Sequence, residues 1–211
     1  MAFETTKIET GVRIDKYLGQ DEVVIIPDKV DGLDVIQIVE NLFSENETIK
    51  ELAFPTHLRV IPKGICWKCI NLETIILPKN LEIIGESAFD NCSALKMELR
   101  FPKTLKKIGA FAFRKCERLF GDLIIPRNVI HIGIYSFNGC SGLDGYLIYN
   151  EDAISKIPVI CDRVSSQGKM TDGFQFVGTN LLKTKLVDDI SLEEEMGQIL
   201  KRFIKEVVVR D

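Results

Sequence analysis

Short apolar triplets followed by a proline set the pattern of this chain, as in Ile75-Ile76-Leu77 before Pro78 and Leu123-Ile124-Ile125 before Pro126. Such triplets are short and β-branched, which predicts strands. Each proline ends its strand because it has no N–H for the ladder. Pro55, Pro78, Pro102 and Pro126 are separated by 23, 24 and 24 residues. Cys69, Cys92, Cys116 and Cys140 keep the same three intervals, as do Ile61, Ile84, Ile108 and Ile132. Gly85, Gly109 and Gly133 follow at 24, with Phe89, Phe113 and Phe137 in step. An earlier and longer unit begins with Pro27, its extra length lying in DKVDGLDV. The glycine after Ile84, Ile108 and Ile132 permits a turn with positive φ. SAFDNC and FAFRKC then predict about one helical turn with the phenylalanine inward. A unit this small cannot bury its own apolar face. Stacked copies about 4.8 Å apart align like residues into one core. The expected fold is a parallel β-solenoid with short helical turns and its sheet on one face.

Strand alternation divides the residues before each proline between core and solvent. Two positions back lie Ile25, Ala53, Ile76, Arg100 and Ile124, with Leu147 next if the last unit continues. Four back lie Val23, Glu51, Thr74, Glu98 and Asp122, beside Glu22, Glu73 and Asp144. The expected surface is an apolar stripe flanked by acids, a candidate contact face for a protein partner. Its competing readings are cover by the C-terminal segment and a register error that reverses the two faces. Lys79, Lys103 and Arg127 follow the prolines and form a basic edge.

These repeats, best seen in LETIILPKNLEIIGESAFDNCSAL, closely resemble the BspA-like class of leucine-rich repeats. That family pattern runs strand, Pro, turn, Ile-Gly, Ala-Phe, Cys, Leu. KYLGQDEVVIIPDKVDGLDV looks like its lead-in, so the likeness extends over about residues 12–148. The resemblance implies a leucine-rich-repeat solenoid that recognises other macromolecules, often as a surface or adhesive protein, and it carries no catalytic residues. One departure is Cys66, which falls in the phenylalanine column.

The domain reading is a lead-in over 1–21, five repeats of 23–28 residues over 22–148, and 149–211 as a degenerate terminal repeat, loops and strands. The tail ends in an amphipathic helix over 191–206. Ser191 with Glu194 forms a capping box there, and Leu192, Met196, Ile199, Phe203 and Val207 make an apolar stripe. That helix would cap the solenoid or mediate oligomerisation.

Composition changes little: 45% apolar and 27% charged residues suit one globular domain. A net charge of −4 argues against a general nucleic-acid binder. No apolar run reaches the roughly 20 residues of a membrane-spanning helix. The N-terminal MAFETTKIETGVRID has charges where a signal peptide needs an apolar core, which places the chain in the cytoplasm unless an export signal precedes it. Cys66-Trp67-Lys68-Cys69 invites a redox or zinc reading, but Cys69 is the repeat cysteine and no second CxxC completes a zinc site. The cysteines are expected reduced and buried, each thiol donating weakly to a turn carbonyl. His57 and His131 fall at variable surface positions, and no nucleophile elbow or phosphate loop is present. No cofactor, metal site or enzyme activity is expected. The leading expectation is a non-catalytic protein-recognition module binding through the repeat sheet. The second is an intracellular structural or regulatory scaffold that self-associates through the C-terminal helix.

Overall fold

The computed structural model describes residues 2–150 and 183–187. The chain opens with an antiparallel hairpin, β1 (Phe3–Ile8) and β2 (Gly11–Tyr17). After β3 (Val23–Ile25), β4 (Lys29–Val30) and β5 (Leu33–Ile38) form a second hairpin, and β5 pairs parallel to β2. The first unit's extra length is this second hairpin. Its turn, Asp31-Gly32, has φ of +49° and +78°, the paired left-handed conformation whose twist matches two antiparallel strands.

Beyond it each coil carries two short strand positions. Before the prolines lie β3, β6 (Glu51–Ala53) and β8 (Thr74–Ile76), a three-stranded parallel sheet. After them lie β7 (Val60–Ile61), β9 (Ile83–Ile84), β10 (Lys107–Ile108) and β12 (His131–Ile132), a second parallel sheet of four strands in register on the isoleucine column. The expectation of sheet on one face alone is therefore corrected. Further along, β11 (Leu123–Ile124) pairs with β13 (Tyr146–Asn150), and β13 with β14 (Lys183–Val187).

The proline-side sheet is interrupted at residues 98–101, which join neither β8 nor β11. Sequence spacing changes at the same place. Leu72 to Pro78 is six residues, whereas Leu95 to Pro102 is seven. The added residue, Met97, shifts the strand positions relative to the previous coil. The coils stay joined beside it, with Lys96 N donating to the Glu73 carbonyl at 2.9 Å and Phe120 N to the Met97 carbonyl at 3.3 Å.

No helical turn forms over the phenylalanine–cysteine stretch. Each coil has two left-handed residues four apart, such as Gly64 and Lys68, Ser87 and Asn91, or Phe111 and Lys115, with φ between +52° and +63°. A right-handed helix cannot pass through them. Successive N–H groups instead alternate between a local and a remote acceptor. Asp90 N and Cys92 N donate three residues back, to Ser87 and Phe89. Ser87 N, Phe89 N and Asn91 N donate to the next coil's Ala110, Ala112 and Arg114. The backbone is satisfied half within the coil and half between coils, which is what a stacked turn needs. The expected helix over 191–206 lies outside the described residues.

The core is continuous. Leu58, Leu81, Leu105 and Val129 are fully buried, as are Ile61, Ile84 and Ile108. Phe89, Phe113 and Phe137 stack with centroids 5.3 and 5.5 Å apart. Cys66 leaves less volume in its coil, and Phe54 of that coil packs edge-on against Phe89 at 6.2 Å. The departure from the repeat is thus a volume exchange within one coil.

The glycine column has a different cause from the one expected. Gly85, Gly109 and Gly133 are not among the positive-φ residues. A Cβ on Gly109 would lie 2.5 Å from Glu86 N and 2.6 Å from Gly85 C, and one on Gly133 would lie 2.2 Å from Ala110 N. Close approach of the neighbouring backbone excludes a side chain. Gly109→Ala is expected to push two coils apart and cost about 1–3 kcal/mol, toward the upper end because backbone cannot rotate away. Chemical denaturation that gave an unchanged midpoint would contradict this.

Candidate recognition face

The residues with chemical potential are dispersed into packing roles. Cys66, Cys69, Cys92, Cys116 and Cys140 are free and buried. Cys69 Sγ donates to the Phe43 carbonyl at 2.9 Å, Cys92 Sγ to Cys66 at 3.1 Å, Cys116 Sγ to Phe89 at 3.1 Å and Cys140 Sγ to Phe113 at 2.9 Å. Each of these four thiols thereby satisfies a carbonyl of the preceding coil. Burial pushes the thiols of Cys66, Cys92 and Cys116 well above their ordinary pKa and that of Cys140 up to about 12. Neutral thiols of this kind are poor nucleophiles and poor metal ligands. His57 is exposed on a turn and His131 is exposed in β12. Among the described residues no group of three or more His, Cys, Asp or Glu could hold a metal ion, and no helix is long and apolar enough to cross a membrane.

An ion pair between a buried carboxylate and a partly exposed guanidinium joins two coils and was not singled out in the sequence. Asp90 is 1% exposed, and Arg114 grips it with Nε at 2.8 Å and Nη2 at 2.6 Å. The same guanidinium lies over the Phe111 ring at 4.8 Å. Its hydrogen bond to Asp90 holds the Arg114 pKa above its usual value. No simple periodic signal marks Asp90, because its column holds Trp67, Asp90, Arg114 and Asn138 in turn.

On the outer face of the proline-side sheet, β6 lies between β3 and β8. Glu51 pairs with Val23 on one side and Thr74 on the other, and Ala53 likewise with Ile25 and Ile76. Ile25 is 70% exposed, Ile76 65% and Val23 53%, with Glu51 and Thr74 exposed and Ala53 half-buried. A notch of about 270 Å³ opens between Ile25 and Ile76, lined by residues 25–28, Phe54, Thr56 and residues 76–79. Asp28 on its rim accepts from Thr56 N and Oγ1, both at 2.6 Å, and those two bonds hold its carboxyl below the usual range. Lys50 pairs with Glu22 at 2.8 Å, which raises the lysine pKa.

The remaining candidates diverge from that patch. Arg100 is exposed and pairs with half-buried Glu98, beyond the break in the sheet. Asp122 is half-buried. Ile124 was expected to be exposed but is only 8% so, and Leu147 is fully buried. Register explains Leu147: it pairs with Leu123 of the inward column, and Ile148, 3% exposed, is the partner of Ile124. One residue's shift in the last coil reverses the face. The expected stripe is therefore a patch confined to β3, β6 and β8. The notch itself was not foreseen. Lys79, Lys103 and Arg127 are all exposed at the proline-side turns.

Stacked 23- to 24-residue coils with two parallel sheets and a single shared core define a leucine-rich-repeat β-solenoid. The chain belongs to the BspA-type leucine-rich-repeat family, whose model matches residues 24–144 in six copies. No curated protein matches it. Among solved structures, the chain is similar to the T. pallidum Leucine Rich Repeat protein, at 25% identity and a TM-score of 0.69, covering 89% of this chain and 81% of that one. It is also similar to a leucine-rich repeat protein from Bacteroides ovatus, at 30% identity and TM-score 0.60, over 68% of this chain and 38% of that one. A leucine rich cell surface protein from Faecalibacterium prausnitzii shares the fold at 18% identity and TM-score 0.66, over 89% of this chain and 54% of that one. Leucine-rich-repeat proteins are commonly protein-interaction modules.

Proposed function

We propose that the chain is a non-catalytic recognition module that binds a protein partner through the outer face of β3, β6 and β8. The observation that carries this reading is the cluster of Val23, Ile25 and Ile76, each more than half exposed, with a notch between the two isoleucines. Aliphatic side chains on adjacent strands present a contiguous apolar patch to water, and such patches mark contact surfaces. An adhesive or surface role rests only on the family resemblance.

The test is pull-down from the source cell and its host with wild type and Ile25→Glu/Ile76→Glu. Both positions are exposed, so the variant should fold with an unchanged melting temperature. A partner captured by wild type and lost from the folded variant is the expected result. Retention of every partner would move the search to the basic edge at Lys79, Lys103 and Arg127. The alternative, a scaffold that self-associates through its C-terminal helix, predicts concentration-dependent mass that Phe203→Asp abolishes.

A further inference from the structure

We infer that the notch between Ile25 and Ile76 takes one aliphatic side chain from an extended segment of a protein partner, with a lysine or arginine two residues away held by Glu51. This rests on the reading of the sheet face as the recognition surface. Size comes first: about 270 Å³ is below the roughly 300–1,000 Å³ of small-molecule sites and suits a single side chain. The lining then selects for an apolar group. Ile25, Ile76 and Phe54 form walls and floor, with Pro27 and Pro78 at one end.

Charge sets the rest of the motif. At the proline end Asp28 and Lys79 have opposite signs and leave no net preference. At the other end Glu51 is exposed and, among the described residues, has no ion-pair partner. Its neighbours in register are Val23 and Thr74, neither of which is charged. Lys50 already pairs with Glu22 at 2.8 Å. An incoming cation therefore finds Glu51 unclaimed beside an apolar floor.

Spacing follows from strand geometry. Ile25 and Ile76 line the notch in register with Ala53, and Glu51 faces the same side two residues before Ala53, so about 7 Å separates the carboxylate position from the level of those two isoleucines. An extended segment lying along β6 repeats that distance between its own alternate side chains. The partner motif is thus an aliphatic residue with a basic residue two positions before or after it, according to strand direction.

The experiment is NMR titration of the isotope-labelled full chain with capped eight-residue peptides of Ser, Thr and Gly carrying one Ile and one Lys two positions apart, in both orders. Millimolar binding is expected in one order, with amide shifts centred on Ile25, Ala53 and Ile76. Replacing the peptide's Ile by Ala should abolish the shifts, and replacing its Lys by Glu should weaken binding a few-fold. Ala53→Ile continues the isoleucine column and leaves the fold intact, yet it sets a longer side chain between Ile25 and Ile76, the two residues that wall the notch, and should weaken binding about tenfold or more. Glu51→Lys should reverse the preference between the Lys and Glu peptides. Absence of shifts with every peptide, or unchanged affinity in Ala53→Ile, would overturn the inference. So would a concentration-dependent dimer lost in Ala53→Ile, since the occupant would then be a second copy of the chain. The face reading is judged separately, because a partner lost from Ile25→Glu/Ile76→Glu but retained by Ala53→Ile would leave the face standing and remove the notch.

Discussion

Phe113→Ala should lower stability by about 3–5 kcal/mol, enough to unfold much of the array at physiological temperature. Phe113 is fully buried and sits in the middle of the aromatic column, stacked on Phe89 at 5.3 Å and on Phe137 at 5.5 Å, with Phe101 tilted against it at 5.9 Å. Truncation removes the ring's transfer energy and leaves a hole that the flanking coils cannot close, since their backbones are hydrogen-bonded to each other. Ala112 N donates locally to Gly109 while Phe113 N donates to Ser136, so the turn is tied on both sides. In a solenoid each coil meets only its neighbours, and a weakened central interface separates the two halves. Thermal melts followed by circular dichroism should show a large fall in Tm or a split transition. A Tm within a few degrees of wild type would remove the basis for the column assignment.

Alkali should unfold the protein through the thiol ladder. In the folded chain the Cys140 pKa lies at about 12, and those of Cys66, Cys92 and Cys116 are raised by the same burial above the ordinary value of 9.0. The unfolded chain therefore releases these protons first, near pH 9, while the folded chain still holds them. Stability contributed by the neutral thiols is complete below that pH and falls as pH rises from about 9 toward 12. Each thiol costs roughly 1 kcal/mol for every pH unit crossed in that window. Four acting together should give a steep loss over one to two units. Denaturation series at pH 8 and pH 10.5 test this, with Cys116→Ala as comparison. That variant should lose stability at every pH yet show a shallower pH dependence, by about one proton. An identical slope in both proteins would mean that the ladder is not what titrates.

Most of the architecture was legible because repetition does the reading. Columns of Ile, Phe and Cys at 23 or 24 residues are each a statement about the core, and the buried positions Ile61, Ile84 and Ile108 or Phe89, Phe113 and Phe137 carry it out. Alternation about the prolines placed Ile25, Ala53 and Ile76 outward, as the structure has them. The predicted helical turn failed for a specific reason. Left-handed φ at Ser87, Asn91, Phe111 and Lys115 has no strong residue signature, since none of these is glycine. The inter-coil hydrogen bonds impose that conformation, and they exist only once a neighbouring coil is present.

The chain's own pattern determined the repeat, its period, the residues that form the core and the inward role of the cysteines, because each follows from local periodicity and hydrophobicity. Tertiary contact alone decided the remaining features. Gly109 is glycine because another coil's backbone lies 2.5 Å from where its Cβ would be. Asp90 is buried because Arg114 of the next coil reaches it at 2.6 Å. Leu147 faces inward because the register of β13 aligns it with Leu123 rather than with Ile124. The notch exists because three stacked coils bring residues 25–28, Phe54 and Thr56, and residues 76–79 together. Periodicity in one chain specifies what faces inward, whereas the spacing, pairing and closure between coils arise only when the copies are stacked.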